Sequence, residues 1–443
     1  MLDTYLIIGY IVICVLIGYF SGRRQMSGDY VNMDRKLGLF SFVCAVVASL
    51  IGATAMVVFV AYIFQFGIGA LSAILGVAIG FTVFAFYAHR LRQLAHEHQF
   101  NSMADFFHHS FGGSVGRFVA LLVLLELIIL ILKQFIGGVG VIIGISSYSY
   151  ETGLLLSASV VLTYLLMGGF RSMIRTDIFQ YLAMLVLMFV IGFSMAGRAD
   201  LPVSALLQNN STWGTAISFF VLGLVIVWYD PATWQRIYAA KNDRVVRWGL
   251  IYSSIALIIL GIGMTLIALS ARQAFPDIDP SQALVFGITH LLPSGLVGLG
   301  AILIFAAILS TADTLLFLIA SNITKDFIGP LKKRDLSSNE LVYYTRWSLI
   351  ITIILVASLA YFFRDIVKLA LISDAIGMAL APAIIASFFI HLKSRAVAIS
   401  IASGVIYTFA WVTLGNTSPE TMISAIVPSA ITLLIFQRLL KAT

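Results

Sequence analysis

Charge is what this chain has least of. Only 11% of its 443 residues are Asp, Glu, Lys or Arg, against about a quarter in a soluble domain, and that scarcity excludes a water-soluble globule. Cysteine is nearly absent: Cys14 and Cys44 are the only two. Both lie in apolar runs, so no disulfide framework is expected. Long polar stretches are missing as well; the longest, 90–113 and 325–340, are too short to hold a core. Linkers and low-complexity segments are absent. No basic residues precede the first apolar run, which starts at Tyr5, so a cleavable leader is not expected. The net charge of +7 does not argue for nucleic acid. The bases are scattered over many short loops, as topology signals in membrane proteins are.

What remains is apolar. Hydrophobic residues make up 60% of the chain and mean hydropathy is +1.02. Apolar runs of about 20 residues, enough to cross a bilayer, recur from end to end. The expected fold is all-α and polytopic, one transmembrane domain over 1–443 with about 13 spans. They are read at 4–21, 38–65, 67–89, 114–146, 150–169, 176–197, 212–239, 246–270, 283–326, 340–363, 366–391, 395–414 and 421–438. In the ninth, Asp279-Pro280-Ser281-Gln282 can form a short helix of its own. Lys and Arg concentrate on the odd-numbered loops, from Arg23 and Arg24 through Arg90, Arg171, Arg236, Lys325 and Lys393 to the tail. The opposite loops hold only Arg198, Arg272, Arg364 and Lys368. The positive-inside bias puts the N-terminus outside and the C-terminus in the cytoplasm.

Polar residues inside the spans carry the chemistry. The run Ala306-Ala307-Ile308-Leu309-Ser310-Thr311-Ala312-Asp313-Thr314-Leu315 packs three hydroxyls and a carboxylate into one apolar stretch. A charged side chain at a helix centre costs roughly 3 kcal/mol or more, so this cluster has to face protein or a water-filled path. Hydroxyl and carboxylate oxygens suit a hard monovalent cation. Gly52-Ala53-Thr54-Ala55-Met56 interrupts the second span with small residues: either an unwound turn lining a cavity or plain helix packing. Asp177 reads either as a helix N-cap, with Thr176, or as an anionic group near the cytoplasmic end of an ion path. Trp228-Tyr229-Asp230-Pro231 marks a break in the seventh span. Its aromatic rings beside a carboxylate resemble a solute pocket, with interfacial anchoring the other reading for Trp234 beside Arg236. Glu126 and Lys133 lie two helical turns apart on one face, either neutralising buried charges or meeting a solute. Asp374, followed by Gly377 and Pro382, suggests another irregular helix. His96, His98, His108 and His109 with Glu97 have loose spacing and read as a solvated cytoplasmic loop rather than a metal site. No nucleophile–base pair or phosphate loop appears in its needed context, so an enzyme is not expected.

Three runs, in order, resemble signatures of the sodium/solute symporter family, which includes proline, pantothenate, sialic acid, sugar, choline and iodide carriers. They are Gly168-Gly169 through Thr176-Asp177 to Gln180, Gln235-Arg236 with Ala239-Ala240-Lys241, and Ala306 to Asp313. The resemblance covers nearly the whole chain. It implies a LeuT-type fold, two inverted five-helix repeats with broken helices. The repeats would cover 38–198 and 212–391, flanked by an extra N-terminal helix at 4–21 and C-terminal helices over 395–443. It implies a sodium ion held by the carbonyls of Ala53, Met56 and Ala307 and the hydroxyls of Ser310 and Thr311. It implies a second cation site at Asp177, Ser310, Asp313 and Thr314. There, two neighbouring carboxylates raise one pKa, so a proton can stand in for the second sodium. Proline carriers have an Asp at the position of Ala55, a departure that argues against proline itself.

The expected function is sodium-coupled import of a small organic solute across the inner or plasma membrane by a protein acting as a monomer. The solute is expected to be an amino acid or amine, meeting Thr54, Glu126, Lys133, Gln134, Trp228, Tyr229, Asp230 and Asp374. Asp230 is expected to need a cationic partner. A sugar, sialic acid or a carboxylate such as pantothenate is the alternative cargo. A membrane-embedded sensor is the alternative class, disfavoured because no signalling domain is visible after the last span. A channel is disfavoured because helix breaks and buried carboxylates suit occlusion.

Overall fold

The computed structural model describes residues 2–22, 35–145, 149–293, 295–332, 334, 336–363, 366–415 and 423–440. The basic residues Arg23, Arg24, Lys333, Arg364 and Lys441 lie outside them, as do the side chains of Ala53, Thr54 and Lys368. Among the described residues the chain is helical, and the only β pairings are two isolated bridges, Leu37 with Ala240 and Gly67 with Asn209.

Helix α1 (Leu2–Gly22) is followed by α2 (Leu39–Leu50) and α3 (Ala53–Phe66). The last two form one bent span with a 63° break at Ile51–Gly52. Gly52 is extended there (φ −80, ψ 172). It has no Cβ to bury, and a methyl at that point would lie 2.6 Å from Thr311 Oγ1. Next come α4 (Ser72–Phe84), α5 (Ala88–Glu97), α6 (Met103–Phe111) and the long α7 (Gly113–Ile145). Ser102 and Asp105 close a capping box at the start of α6. The histidines expected in a loop therefore sit on or beside two helices, with His98 and His109 rings 4.0 Å apart.

Helix α8 runs over Tyr150–Arg198, so the expected loop at 170–175 is helical. Its two spans are separated by a kink at Gly169, whose φ of 54 with ψ of −153 is a conformation open to glycine. The second broken span is α9 (Trp213–Tyr229) with α10 (Pro231–Ala239), bent by 44°. Pro231 sits at the first turn of α10, where its missing N–H costs nothing.

The remaining helices are α11 (Asp243–Ala274), α12 (Ala283–Leu291), α13 (Val297–Asn322), α14 (Ser338–Phe362), α15 (Ile366–Ser387), α16 (Ser394–Thr413) and α17 (Ile426–Leu439). Asp279–Gln282 forms its own short turn: Pro280–Gln282 is 3₁₀, capped by Asp279. The ninth expected span is two helices, α12 and α13. Pro382 lies inside α15 rather than breaking it, contrary to the irregular helix expected there. Among the described residues, six helices are singly long and apolar enough to cross a membrane, and three further bent pairs pass together. The protein is a multi-pass membrane protein, and the span that α13 begins is the most enclosed of those six: 94% of its apolar window is buried.

The two broken spans are tied at one end. Leu37 N–H donates to Ala239 O at 2.9 Å, and Lys241 N–H donates to Leu37 O at 3.0 Å. Arg35 adds hydrogen bonds to the carbonyls of Tyr238 (3.4 Å) and Phe100 (3.0 Å). The half-helices α2 and α10 are thus joined at the ends remote from their breaks.

Candidate functional site

The first break faces α13. Ser310 and Thr311 are buried on it, and their hydroxyls reach the end of α2. Ser310 Oγ donates to Ala48 O at 3.0 Å and to Ala307 O at 3.2 Å, and Thr311 Oγ1 donates to Ser49 O at 3.3 Å. Met56 and Ala307 are fully buried beside the same junction. Helix propensity alone does not explain two hydroxyls spanning to another helix's last carbonyls. Hydroxyl and carbonyl oxygens gathered at an unwound turn are the donor set a sodium ion takes.

One helical turn along α13 lies a charged cluster. Asp177, Asp313 and Thr314 are fully buried. Thr176 Oγ1 donates to Asp313 Oδ2 at 3.3 Å. Asp177 is well inside α8, so the N-cap reading for it is wrong. Its partner is Arg236 of α10, which has no exposed surface: Nη2 lies 3.2 Å from Asp177 Oδ2 and donates to Thr314 Oγ1 at 2.8 Å. The sequence puts Arg236 among the cytoplasmic loop bases and offers interfacial anchoring as one of two readings for Trp234. Both are buried in the protein, and Trp234 Nε1 donates to Trp228 O at 2.8 Å. The two carboxylates are therefore not left to repel each other alone; a guanidinium stands against one of them. The same region holds buried polar atoms with no hydrogen-bond partner among the described residues: Ser172 Oγ, Asp177 Oδ1 and the amide of Gln235. Buried groups of this kind are generally satisfied by water or an ion.

Beside the breaks is a cavity of about 310 Å³. Its wall is mostly aliphatic and aromatic, with Phe59, Tyr62 and Phe219 among the lining residues of α3 and α9. Glu126, Lys133, Gln134, Tyr229, Asp230, Asp374 and Thr311 all line it, so the structure gathers most of the residues expected around a solute. Trp228 does not line it; its ring packs on Phe84 at 4.6 Å, with Tyr87 and Phe388 near, which removes it as a cation–π partner.

The expected pairings change. Lys133 does not pair with Glu126. Its ammonium donates to Ser373 Oγ at 2.7 Å and lies 3.8 Å from Asp374. Asp230 does not need a cation: it is the N-cap of α10. Its carboxylate accepts from Thr233 N at 2.8 Å, Thr233 Oγ1 at 2.5 Å and Ala232 N at 3.4 Å. A helix N-terminus neutralises part of such a charge. Sequence reasoning missed Ser373 as the lysine's hydroxyl and Arg236 as the buried counter-ion. The second had a signal: Arg236 lies six residues beyond a break inside an apolar span.

Oxygens gathered at one helix break and a partly open cavity beside both breaks fit a secondary transporter, in which broken helices hold cargo and ion together. The description "Sodium:solute symporter family" is that of the family model matching residues 30–400, and the chain belongs to that family. It is a transporter rather than an enzyme, and sodium coupling is the property of its family. A sodium/proline symporter of Staphylococcus aureus is 24% identical over 457 residues, covering 93% of this chain and 86% of that protein. A sodium/pantothenate symporter of Haemophilus influenzae is 29% identical over 244 residues; the match spans 52% of this chain and half of that protein's length. Among solved structures, a substrate-bound, outward-open Na⁺-coupled sialic acid symporter superposes with a TM-score of 0.84 at 16% identity, covering 100% and 98% of the two chains. The nucleobase-cation-symport transporter Mhp1, in a closed conformation, gives 0.56 at 13% identity over 92% of each. At those identities the likeness is one of fold.

Proposed function

We propose that this protein imports a small organic solute by sodium symport, binding the solute in the 310 Å³ cavity and sodium at the break of the first bent span. The sodium ligands are the carbonyls of Ala53, Met56 and Ala307 and the hydroxyls of Ser310 and Thr311. The observation that carries this is the reach of Ser310 and Thr311 across to Ala48 and Ser49, immediately before the unwound turn. Thr311 lines the cavity as well, so ion and solute share a wall. Sodium binding there draws α13 and the broken span together and closes the cavity around its cargo.

Asp177, Asp313 and Thr314 form the second cation or proton site. Arg236 offsets one of the two carboxylates, and the remaining negative charge is met by a proton or a second sodium. The halves 38–198 and 212–391 act as inverted repeats within about 13 spans, with the N-terminus outside, the C-terminus in the cytoplasm of a plasma membrane, and one chain as the working unit.

The cargo is an amino acid or an amine-bearing solute. Three carboxylates and one lysine line the cavity, which favours a cationic group; Gln134 supplies a neutral donor and acceptor, and Thr54 lies at the start of α3. Lys133 supports the alternative of a carboxylate or sugar acid. Uptake of labelled solutes into proteoliposomes tests the reading. Accumulation with an inward sodium gradient and not with potassium supports it. Binding without accumulation supports a sensor, and sodium-independent equilibration a channel.

A further inference from the structure

The cavity's charged groups are unequally provided for. Asp230 is spoken for by the N-terminus of α10 and the Thr233 hydroxyl. Asp374 has Lys133 at 3.8 Å, and Lys133 in turn donates to Ser373. Glu126 is different. It is 2% exposed, lines the cavity, and its Oε2 has no partner among the described residues. Lys133, on the same helix, is turned to Ser373 and Asp374. The other ionisable groups within electrostatic reach of Glu126 are Asp230, Asp374 and Tyr229, and none of them is a cation. Tyr229, also buried and lining the cavity, presents a hydroxyl with no partner among the described residues. Its ring lies against α15 at Gly377, where a methyl would collide with it. An unpaired carboxylate and an unpaired hydroxyl, both enclosed, are expensive unless a ligand meets them.

The same inventory shows what the cavity does not offer. A carboxylate of a solute would seek a half-helix N-terminus or a free cation. The N-terminus of α10 already holds the chain's own Asp230. The N-terminus of α3 is crowded at Gly52 by Gln134 and Thr311: a methyl there would lie 2.5 Å from Gln134 Nε2 and 2.6 Å from Thr311 Oγ1. Lys133 is the only cation among the lining residues, and it is engaged. With Asp230 held by a helix N-terminus and Asp374 beside Lys133, the carboxylate left unmet is that of Glu126, and a monocation balances it better than a zwitterion.

Resting on the transport reading above, we infer that the cargo is an organic monocation, a protonated amine on an apolar body without a carboxylate, gripped by Glu126 with Tyr229 accepting a second N–H. Glu126 is the specificity-determining residue; Asp230 shapes the break and Asp374 holds Lys133. The apolar wall takes the hydrocarbon part of the solute.

Matched pairs that differ only by a carboxylate test this: isoamylamine against leucine, phenethylamine against phenylalanine, and pyrrolidine against proline. The readout is the melting temperature of the full-length purified protein at near-neutral pH in sodium and in potassium. The expected result is that at least one amine raises the melting temperature in sodium while its amino acid does not. Glu126→Gln is expected to weaken that amine by about tenfold or more, near 1.4 kcal/mol per decade, while sodium still stabilises the variant. Tyr229→Phe should weaken it less. An amino acid binding as well as its amine overturns the inference, as does amine affinity unchanged in Glu126→Gln. No shift from any of the three amines, with the sodium effect intact, overturns it too. The wild-type comparison stands even if Glu126→Gln does not fold. Failure of the transport reading looks different: sodium then has no effect on wild-type stability at all.

Discussion

Arg236 Nη2 lies 3.2 Å from Asp177 Oδ2, and neither side chain has any exposed surface. The pair links the half-helix beyond the second break to α8. Through Thr314, 2.8 Å from the same nitrogen, it reaches α13 as well. Removing one partner leaves a buried charge uncompensated, which costs about 3–5 kcal/mol. Arg236→Gln and Asp177→Asn should each lower the melting temperature strongly. The double variant should lose less than the sum, because its members share one interaction. Additive losses in a double-mutant cycle would show that the pair is not coupled.

Ser310→Ala and Thr311→Ala each remove one hydroxyl from the proposed sodium site. Apparent sodium affinity should fall about tenfold or more for either, at 1.4 kcal/mol per decade, with the helix intact because alanine suits it. Sodium titration of thermal stability reads this directly. Unchanged sodium dependence in the double variant excludes the site.

Asp313→Asn should change the pH profile and the sodium Hill slope of uptake more than the apparent affinity for solute. The reason is the second buried carboxylate one turn from the sodium hydroxyls, in contact with Thr176. Wild-type pH profile and Hill slope in this variant would remove Asp313 from the ion pathway.

Asp230→Asn should be nearly silent in stability, because Asn caps a helix about as well as Asp. Asp230→Ala should cost about 1 kcal/mol. If Asn costs as much as Ala, the carboxylate's charge matters beyond capping, and the assignment of Asp230 to helix geometry fails.

The break at Pro231 is legible in the sequence, because proline interrupts a long apolar run; that at Gly52 is one of two readings, since small residues there also suit plain helix packing. The polar run 306–315 was legible as well: oxygens cluster where hydrocarbon is the expected surrounding. The caps were not. Asp177 and Asp230 both precede residues that can start a helix, and the sequence offers a cap as one of two readings for Asp177 and none for Asp230, which is the one that caps. Deciding between them needs the true helix start, which packing sets: α8 runs on through 170–175 after its kink at Gly169. Arg236 was read by its neighbours as a loop base. Only the fold carries α10 inward and puts that guanidinium on Asp177.

Coupling itself is measured most directly as solute-dependent sodium entry. Proteoliposomes holding the wild-type protein are given labelled sodium outside, with each member of the amine and amino-acid pairs in turn. The account predicts that one solute accelerates sodium entry, that the same solute accumulates only when sodium is outside, and that Ser310→Ala with Thr311→Ala abolishes both. Sodium entry indifferent to every solute, or solute entry equal in potassium, would contradict it.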